Sequence, residues 1–454
     1  MRYAQIGWFC LGLTFAACGG DDDPPKQEPK GCDLVAQTGC EEDQVCEETV
    51  GGEPACYAPV SVTGKVFDTA DNSAIEAALV VARDANGAAV SSVAVTDEEG
   101  NYDLRVPVQR NADGTPVSTS YTLRADASGY LSFPKPPRVA LPVDVSLVDG
   151  DGKVANVATD IGLIALGATD GLGAVSGHVN ADNPGGTLVV AGGETGIADS
   201  DGAYTVFNVP AGSVGVHGYA SGLELTPNTA DVKAGETTEG VDLEAAGEAT
   251  AVVSGQIQIV NGGGASVTSV ILVPEETFDE TALRGEAPRG LRAADVSGAW
   301  SIAGVPKGRY VVLAAFENDG LVRDPDTSIG GTELVRIDVT GNDLPISEGF
   351  KVTGALAVFS PGGDGPEGVS GNPVFEWEDD SSEDMYRVTL FDALGTQVWE
   401  TEGNFDPGGS KPATVTYDGP ALTPGMYYQY RAISLKSGVP ISSTEDLKGV
   451  FYAE

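Results

Sequence analysis

The side chains able to do covalent, metal or acid–base chemistry are few in kind. The 454-residue chain has six cysteines and two histidines, with 67 acidic residues against 25 basic ones. Four cysteines, Cys32, Cys40, Cys46 and Cys56, fall close together and no cysteine follows them. In an exported chain such an even cluster reads as two disulfides, with three connectivities open. The intervening gaps of 7, 5 and 9 residues do not supply the CxxC-type spacing of a zinc site. His178 is followed by VNA and His217 by GYA, so no HxxE zinc pair exists. Asp199-Ser200-Asp201-Gly202 approaches a calcium loop, but Ile197 and Asn208 stand at its first and last ligand positions. There is no GxSxG elbow and no Ser/His/acid constellation. Among so many acids a chance carboxylate pair is certain, and small tandem sandwiches offer no deep cleft for glycosidase work. No catalytic residue, metal ligand or cofactor is expected.

The net charge of −42 repels nucleic acid and anionic lipid, which excludes a nucleic-acid partner. Arg2 opens the chain with one positive charge, and Ile6 to Ala17 is a short apolar run. Twelve residues cannot cross a bilayer as a helix, which takes roughly 20, so residues 1–17 read as a signal peptide. The following Phe15-Ala16-Ala17-Cys18-Gly19 resembles the lipobox of bacterial lipoproteins, with Phe15 where that family usually has Leu. The resemblance implies lipidation of Cys18. Gly19 lacks the Asp that signals inner-membrane retention in enteric-type lipoproteins, which implies the outer membrane, at the cell surface or on its periplasmic face. Residues 18–31 are polar and Pro-rich, as in a disordered tether. Residues 32–58 are then expected to form a small disulfide-held knob, too short for a core of its own.

The elements that must carry any site come from an imperfect internal repeat. Each copy opens with V-[ST]-G-x-[VI]: Val62 to Val66, Val175 to Val179 and Val253 to Ile257. A D-x-x-G-x-[YW]-x-[LVI] segment follows, as Asp97-Gly100-Tyr102-Leu104, Asp199-Gly202-Tyr204-Val206 and Asp295-Gly298-Trp300-Ile302. Asp caps the turn through its carboxylate, and Gly three residues on is expected at positive φ. Residues two apart then point to one face of the outgoing strand, which a second sheet must cover. With 61 Gly, 27 Pro and strand-length runs between turns, the class is all-β, as tandem β-sandwiches.

These residues, with Tyr121 to Tyr130 in copy one, resemble the carboxypeptidase regulatory-like domain, a transthyretin-like sandwich. The resemblance covers 59–170, 171–247 and 248–353 in turn, and the zinc peptidase that accompanies the domain in its namesake enzymes is absent. Copy three carries an inserted loop, Glu275 to Ala293, with Arg284, Arg289 and Arg292. Residues 354–454 differ. Phe375 and Trp377 sit in a strand, and Leu422 to Ala432 resembles the signature of fibronectin type III domains, which implies a tyrosine corner at Tyr428.

Tyr102, Tyr204, Trp300, Trp377 and Tyr428 occupy expected core positions. Tyr130, Phe133, Tyr219, Trp399 and Tyr427 are the aromatics that could be exposed for stacking on sugar, but they are scattered with no run suggesting a platform, and a core or rim place is expected for them. Lys65 is expected to face solvent rather than form an internal isopeptide bond. The function these features imply is non-catalytic: a lipid-anchored spacer or adhesin, its sandwiches stacked end to end, presenting loops to a protein or polysaccharide partner. The alternatives are a carbohydrate-binding module that assists a separate hydrolase, and a periplasmic assembly factor.

Overall fold

The computed structural model describes residues 31–34, 37–135, 138–260, 262, 266–280, 284–314, 319–323, 334–347, 349–405 and 411–454. The signal peptide, Cys18 and the tether up to residue 30 lie outside the described residues. Those described form strands and three short 3-10 turns, with no α-helix among them. The architecture is all-β, a series of sandwiches after a disulfide knob.

The knob is a strand pair, Val45–Glu47 against Ala55–Tyr57. Its bridges are Cys32–Cys46 and Cys40–Cys56, one of the three connectivities that spacing left open.

The three repeat copies share one plan. In the first, Val60–Asp68 lies between Asn101–Val106, antiparallel, and Ile161–Leu163, parallel. The facing sheet orders Ala94–Val95, Leu79–Arg83, Ser120–Asp126 and Val143–Asp144. The second copy centres Leu172–Asn180 between Ala203–Pro210 and the parallel Leu243–Glu248. The third centres Ala251–Val260 between Ala299–Val305 and the parallel Phe350–Gly354.

The repeated motif has a steric cause visible in the pairing. The motif glycine of each opening strand faces the motif aromatic of the next: Gly64 and Tyr102, Gly177 and Tyr204, Gly255 and Trp300. A Cβ on Gly64 would fall 2.1 Å from the Thr159 carbonyl oxygen and 2.9 Å from the Tyr102 hydroxyl. On Gly255 it would strike the Trp300 ring at 2.7 Å. At Gly64 and Gly177 the closing segment's backbone, at Thr159 and Val241, fills the space a side chain would need, and at Gly255 the Trp300 ring does. Tyr102 then donates to Thr159 O at 2.5 Å, and Tyr204 donates to Val241 O, tying the closing segment across the opening strand to the strand that follows the turn.

The turn chemistry divides the copies. Asp97 Oδ1 accepts the N–H groups of Glu99 and Asn101, and Asp199 Oδ1 those of Asp201 and Ala203. Gly100 and Gly202 have φ of 78° and 91°. In the third copy the edge strand Arg292–Val296 runs almost into the hairpin, so the turn is shorter. There Asp295 itself takes the positive φ, 54°, and Gly298 does not.

The terminal sandwich packs Val358–Ser360, Val374–Trp377 and Ala413–Thr416 over a larger sheet containing Met385–Asp392, Gln397–Gly403 and Tyr427–Lys436. Phe375, Trp377, Tyr386 and Tyr430 are fully buried in its core. The Tyr428 hydroxyl accepts the Thr423 N–H at 2.9 Å, which ties the strand back to the turn before it.

Candidate functional site at the junction of the sandwiches

The sandwiches are not strung end to end. The first packs against the second, the third and the fourth, which corrects the extended arrangement expected from the sequence. The cause lies in strands that are apolar on both faces. Thr268–Pro274 is buried along its whole length. Val270 and Leu272 enter the core of the third sandwich, while Ile271 and Val273 pack outward against Ala88 and Ala287. Leu188–Ala191 behaves likewise: Val189 and Ala191 fill the second core. Leu188 and Val190 instead join Val81 and Ala89 of the first sandwich in the cluster around the third core. Full burial of one such side chain stabilises by about 1.5–3 kcal/mol, so these seams are the main adhesive.

Charge sits on top of the apolar seam. Arg124, 1% exposed, projects from Ser120–Asp126 of the first sandwich. Its Nε donates to Asp126 Oδ2 at 2.7 Å, and Nη2 donates to Thr195 Oγ1 of the second sandwich at 2.8 Å. Nη1 lies 2.7 Å from Glu286 Oε2 of the third. One guanidinium therefore touches three sandwiches. Burial opposes its charge, but Asp126 and Glu286 outweigh burial and hold its pKa above the ordinary arginine value. Arg83 approaches the same Glu286 oxygen at 3.6 Å; burial pulls its pKa down, with Glu286 opposing.

Glu286 belongs to the inserted loop Glu275 to Ala293, and that loop is the hub. Besides Glu286, it sends Arg292 to Asp84 of the first sandwich at 3.5 Å. Toward the second it sends Arg289, whose Nη2 donates to Asn183 O at 2.8 Å. Glu276 Oε1 meets His217 Nδ1 at 3.1 Å and accepts the Tyr219 hydroxyl at 2.9 Å. Arg284 pairs with Asp446 of the fourth, which Arg431 also approaches at 3.4 Å. Burial would raise the Asp446 carboxyl, but the two guanidiniums win and hold it at about 2. Hydrogen bonding to Glu276 raises the His217 pKa above its usual value, with burial acting against it.

Further contacts close the assembly. Asn208 of the second sandwich grips the first, donating to Tyr130 O at 2.8 Å and accepting from Gly129 N–H at 2.8 Å. Arg138 of the first donates to Leu394 O of the fourth. Ala393 joins the first core, with Met426 and Tyr427 packed against it.

The five candidate stacking aromatics are largely taken up in core and rim contacts, the place the sequence favoured for them. Phe133 lies in the first core and Tyr219 in the seam between the second and third sandwiches. Trp399 packs on Phe375 and Tyr417 and donates to Asp418. Tyr130 donates to Asp68, and Tyr427 lies against Tyr452. They do not gather into a stacking platform. Lys65 is exposed, as the pattern implied, and His178 is exposed as well. Lys351 is buried, a position no motif marked.

The knob is fixed to the first sandwich at Arg110, by backbone pairing with Glu48 and Val50 and by an ion pair. Arg110 Nε donates to Glu47 Oε2 at 2.5 Å, its Nη2 donates to Ala58 O, and its guanidinium lies over the Tyr57 ring. A cleft of about 570 Å³ runs along this seam, lined by Leu34, Val45, Val90, Val108 and Tyr121 with the buried Glu47. What the junction can do chemically is bind its own parts: its charged groups face one another across the seams.

No family model matches the chain, and no curated protein matches it. Among solved structures it is similar to the Bacillus anthracis TIE protein, at 11% identity and a TM-score of 0.16, covering 92% of this chain and 76% of that one. It is similar to BcpA, the major pilin subunit of Bacillus cereus, at 9% identity and a TM-score of 0.15, covering 65% and 99%. A DUF3823 family protein from Bacteroides ovatus is 12% identical with a TM-score of 0.21, covering 44% and 98%. Scores this low do not superpose whole chains, and the fold above rests on its own strand pairing.

Proposed function

We propose that this chain is a non-catalytic, lipid-anchored protein of the outer membrane surface, whose sandwiches close into one rigid platform that presents outward strands and loops to a protein or polysaccharide partner. The carrying observation is the inserted loop Glu275 to Ala293, which contacts each of the other three sandwiches. A chain built only for reach has no use for such a hub. Ion pairs so desolvated add little net stability, and their part here is to select one orientation of surfaces that apolar contact already holds.

Cys18 and residues 18–31 supply the anchor and tether. The shared strand order of the three copies, each opening strand paired in parallel with a closing one, supports reading them as carboxypeptidase regulatory-like domains. The Tyr428–Thr423 bond supports a fibronectin III-like terminal sandwich.

The test uses intact cells carrying a C-terminal epitope tag, probed with an antibody that cannot enter. Labelling of intact cells, lost together with palmitate incorporation in Cys18→Ala, is the expected result. Labelling only after lysis would place the platform on the periplasmic face and overturn the display reading.

A further inference from the structure

We propose that the chain is a load-bearing link, its repeated sandwiches joined so as to resist tension drawn along the chain away from its N-terminal anchor. The inference rests on the anchored reading above. Its substance is the way each opening strand is fastened to its closing segment.

In all three copies the two run parallel. Tension that enters at the start of the opening strand and leaves at the end of the closing one therefore slides them past each other. The evenly spaced rungs of a parallel pair then carry the load together. Two antiparallel strands drawn apart from adjacent ends instead open one rung at a time.

The second copy has rungs along the whole of Leu172–Asn180. Leu172 O accepts the Gly235 N–H at 2.7 Å, Ala174 N–H donates to Glu236 O at 3.0 Å, and Ser176 O accepts the Val241 N–H at 3.1 Å. Val179 and Asn180 pair with Leu243 and Glu244, and Asn180 Nδ2 donates to Glu244 Oε1 at 2.7 Å. Between these, a carboxylate supplies one rung: His178 N–H donates to Asp242 Oδ1 at 2.9 Å. The first copy does the same at the matching motif position, where Lys65 N–H donates to Asp160 Oδ1 at 3.0 Å. That rung lies between the Val62–Val154 and Val66–Ile161 pairings. In the third copy Val252 N–H donates to Asp343 Oδ1 at 3.0 Å and Ile346 N–H to Ser254 O at 2.7 Å, before Ile257 to Val260 pair with Phe350 to Thr353.

The path between these joins has little slack. Ala249 and Thr250 alone separate the closing strand of the second copy from the opening strand of the third. In the knob the Cys32–Cys46 and Cys40–Cys56 bridges overlap, so the stretch from Cys32 to Cys56 cannot be drawn out to its full length.

The experiment is single-molecule pulling with optical tweezers on the full chain, as Cys18→Ala to remove the lipid. Azide-bearing residues take the DNA handles, so the disulfides stay intact. Handles at Asp170 and Glu248 pull the second sandwich from its two ends. Handles at Asp170 and Ala211 draw apart the adjacent ends of Leu172–Asn180 and Ala203–Pro210. All three positions are exposed, and equal urea midpoints show that the handles leave the fold unchanged. The force that ruptures the sandwich from its two ends should be roughly twofold higher or more, because several rungs must fail together. Asp242→Ala should lower that force and leave the other unchanged, and Asp242→Asn, which keeps an acceptor, should restore it. Equal forces in the two geometries, or a lower force between the two ends, would overturn the proposal. Failure of the display reading would show in the antibody labelling and not in these forces.

Discussion

Arg124 of the first sandwich and Glu286 of the third meet at 2.7 Å in a seam where the arginine is almost wholly buried. The pair belongs to neither sandwich's core, and it forms only when the two are docked.

Removing one partner of such a pair strands the other. Arg124→Met is expected to leave Asp126 without its cation and Glu286 with only the longer Arg83 contact, at a cost of about 3–5 kcal/mol. Glu286→Gln leaves Arg124 its Asp126 and Thr195 contacts and is expected to cost less, about 1–3 kcal/mol. Urea denaturation checks both. Equal, negligible losses would mean the seam does not form in solution.

The glycine facing each motif aromatic makes a sharper steric prediction. Gly64→Ala places a methyl group 2.1 Å from the Thr159 carbonyl oxygen, so the closing segment must shift. Overpacking of this kind is expected to cost about 1–3 kcal/mol or more. Gly298→Ala meets nothing within 4 Å and has no positive φ, so its thermal midpoint should match the parent. Tyr102→Phe, which removes only the hydroxyl bond to Thr159, should fall between them at about 1 kcal/mol.

The seam between the second and third sandwiches should respond to pH through His217. Its partners are Glu276 and Tyr219, with Arg309 bridging to the neighbouring Glu275 at 3.2 Å. Because its folded pKa is raised above the ordinary 6.5, its contribution is fully present below 6.5 and is lost as pH rises through the folded value. The difference in thermal midpoint between the parent and His217→Gln should therefore be larger at pH 5.5 than at pH 8.5. A difference that grows with pH would contradict the Glu276 contact.

Asp446 acts with the opposite sign. Held at about 2 by Arg284 and Arg431, it contributes above the ordinary aspartate value of 3.8, and that contribution fades as pH falls toward 2. Asp446→Asn should loosen the contact of the third and fourth sandwiches at neutral pH. Hydrogen exchange at Gly320, whose N–H is held by the neighbouring Glu445, should rise in the variant. Unchanged protection there would separate Asp446 from the seam.

Local features were legible because local physics determines them. Asp97 and Gly100 make their turn, and Tyr102 its core contact, with partners close along the chain or across one strand pair. The junction was not, because Arg124 and Glu286 carry nothing in their neighbourhoods that names the other. A signal was nonetheless present. Val270 to Val273 and Tyr310 to Ala314 are unbroken apolar runs, and a strand in a sandwich with one wet face should alternate. Read that way, VILV demands cover on both faces and foretells a packed neighbour. Tyr219 is buried by such a neighbour, whereas Phe133 lies in the first sandwich's own core. The three arginines of the inserted loop stood out, but their partners are distributed over the other sandwiches.

Small-angle X-ray scattering on the soluble chain from Gly19 onward tests the closed platform most directly. A compact arrangement of this size should give a radius of gyration of about 22–25 Å. Four sandwiches in line, each about 30 Å long from strands rising ~3.3 Å per residue, would give one on the order of 35 Å. The compact value, moving toward the extended one in Arg124→Met, is the result the account predicts. An extended value for the parent chain would contradict it.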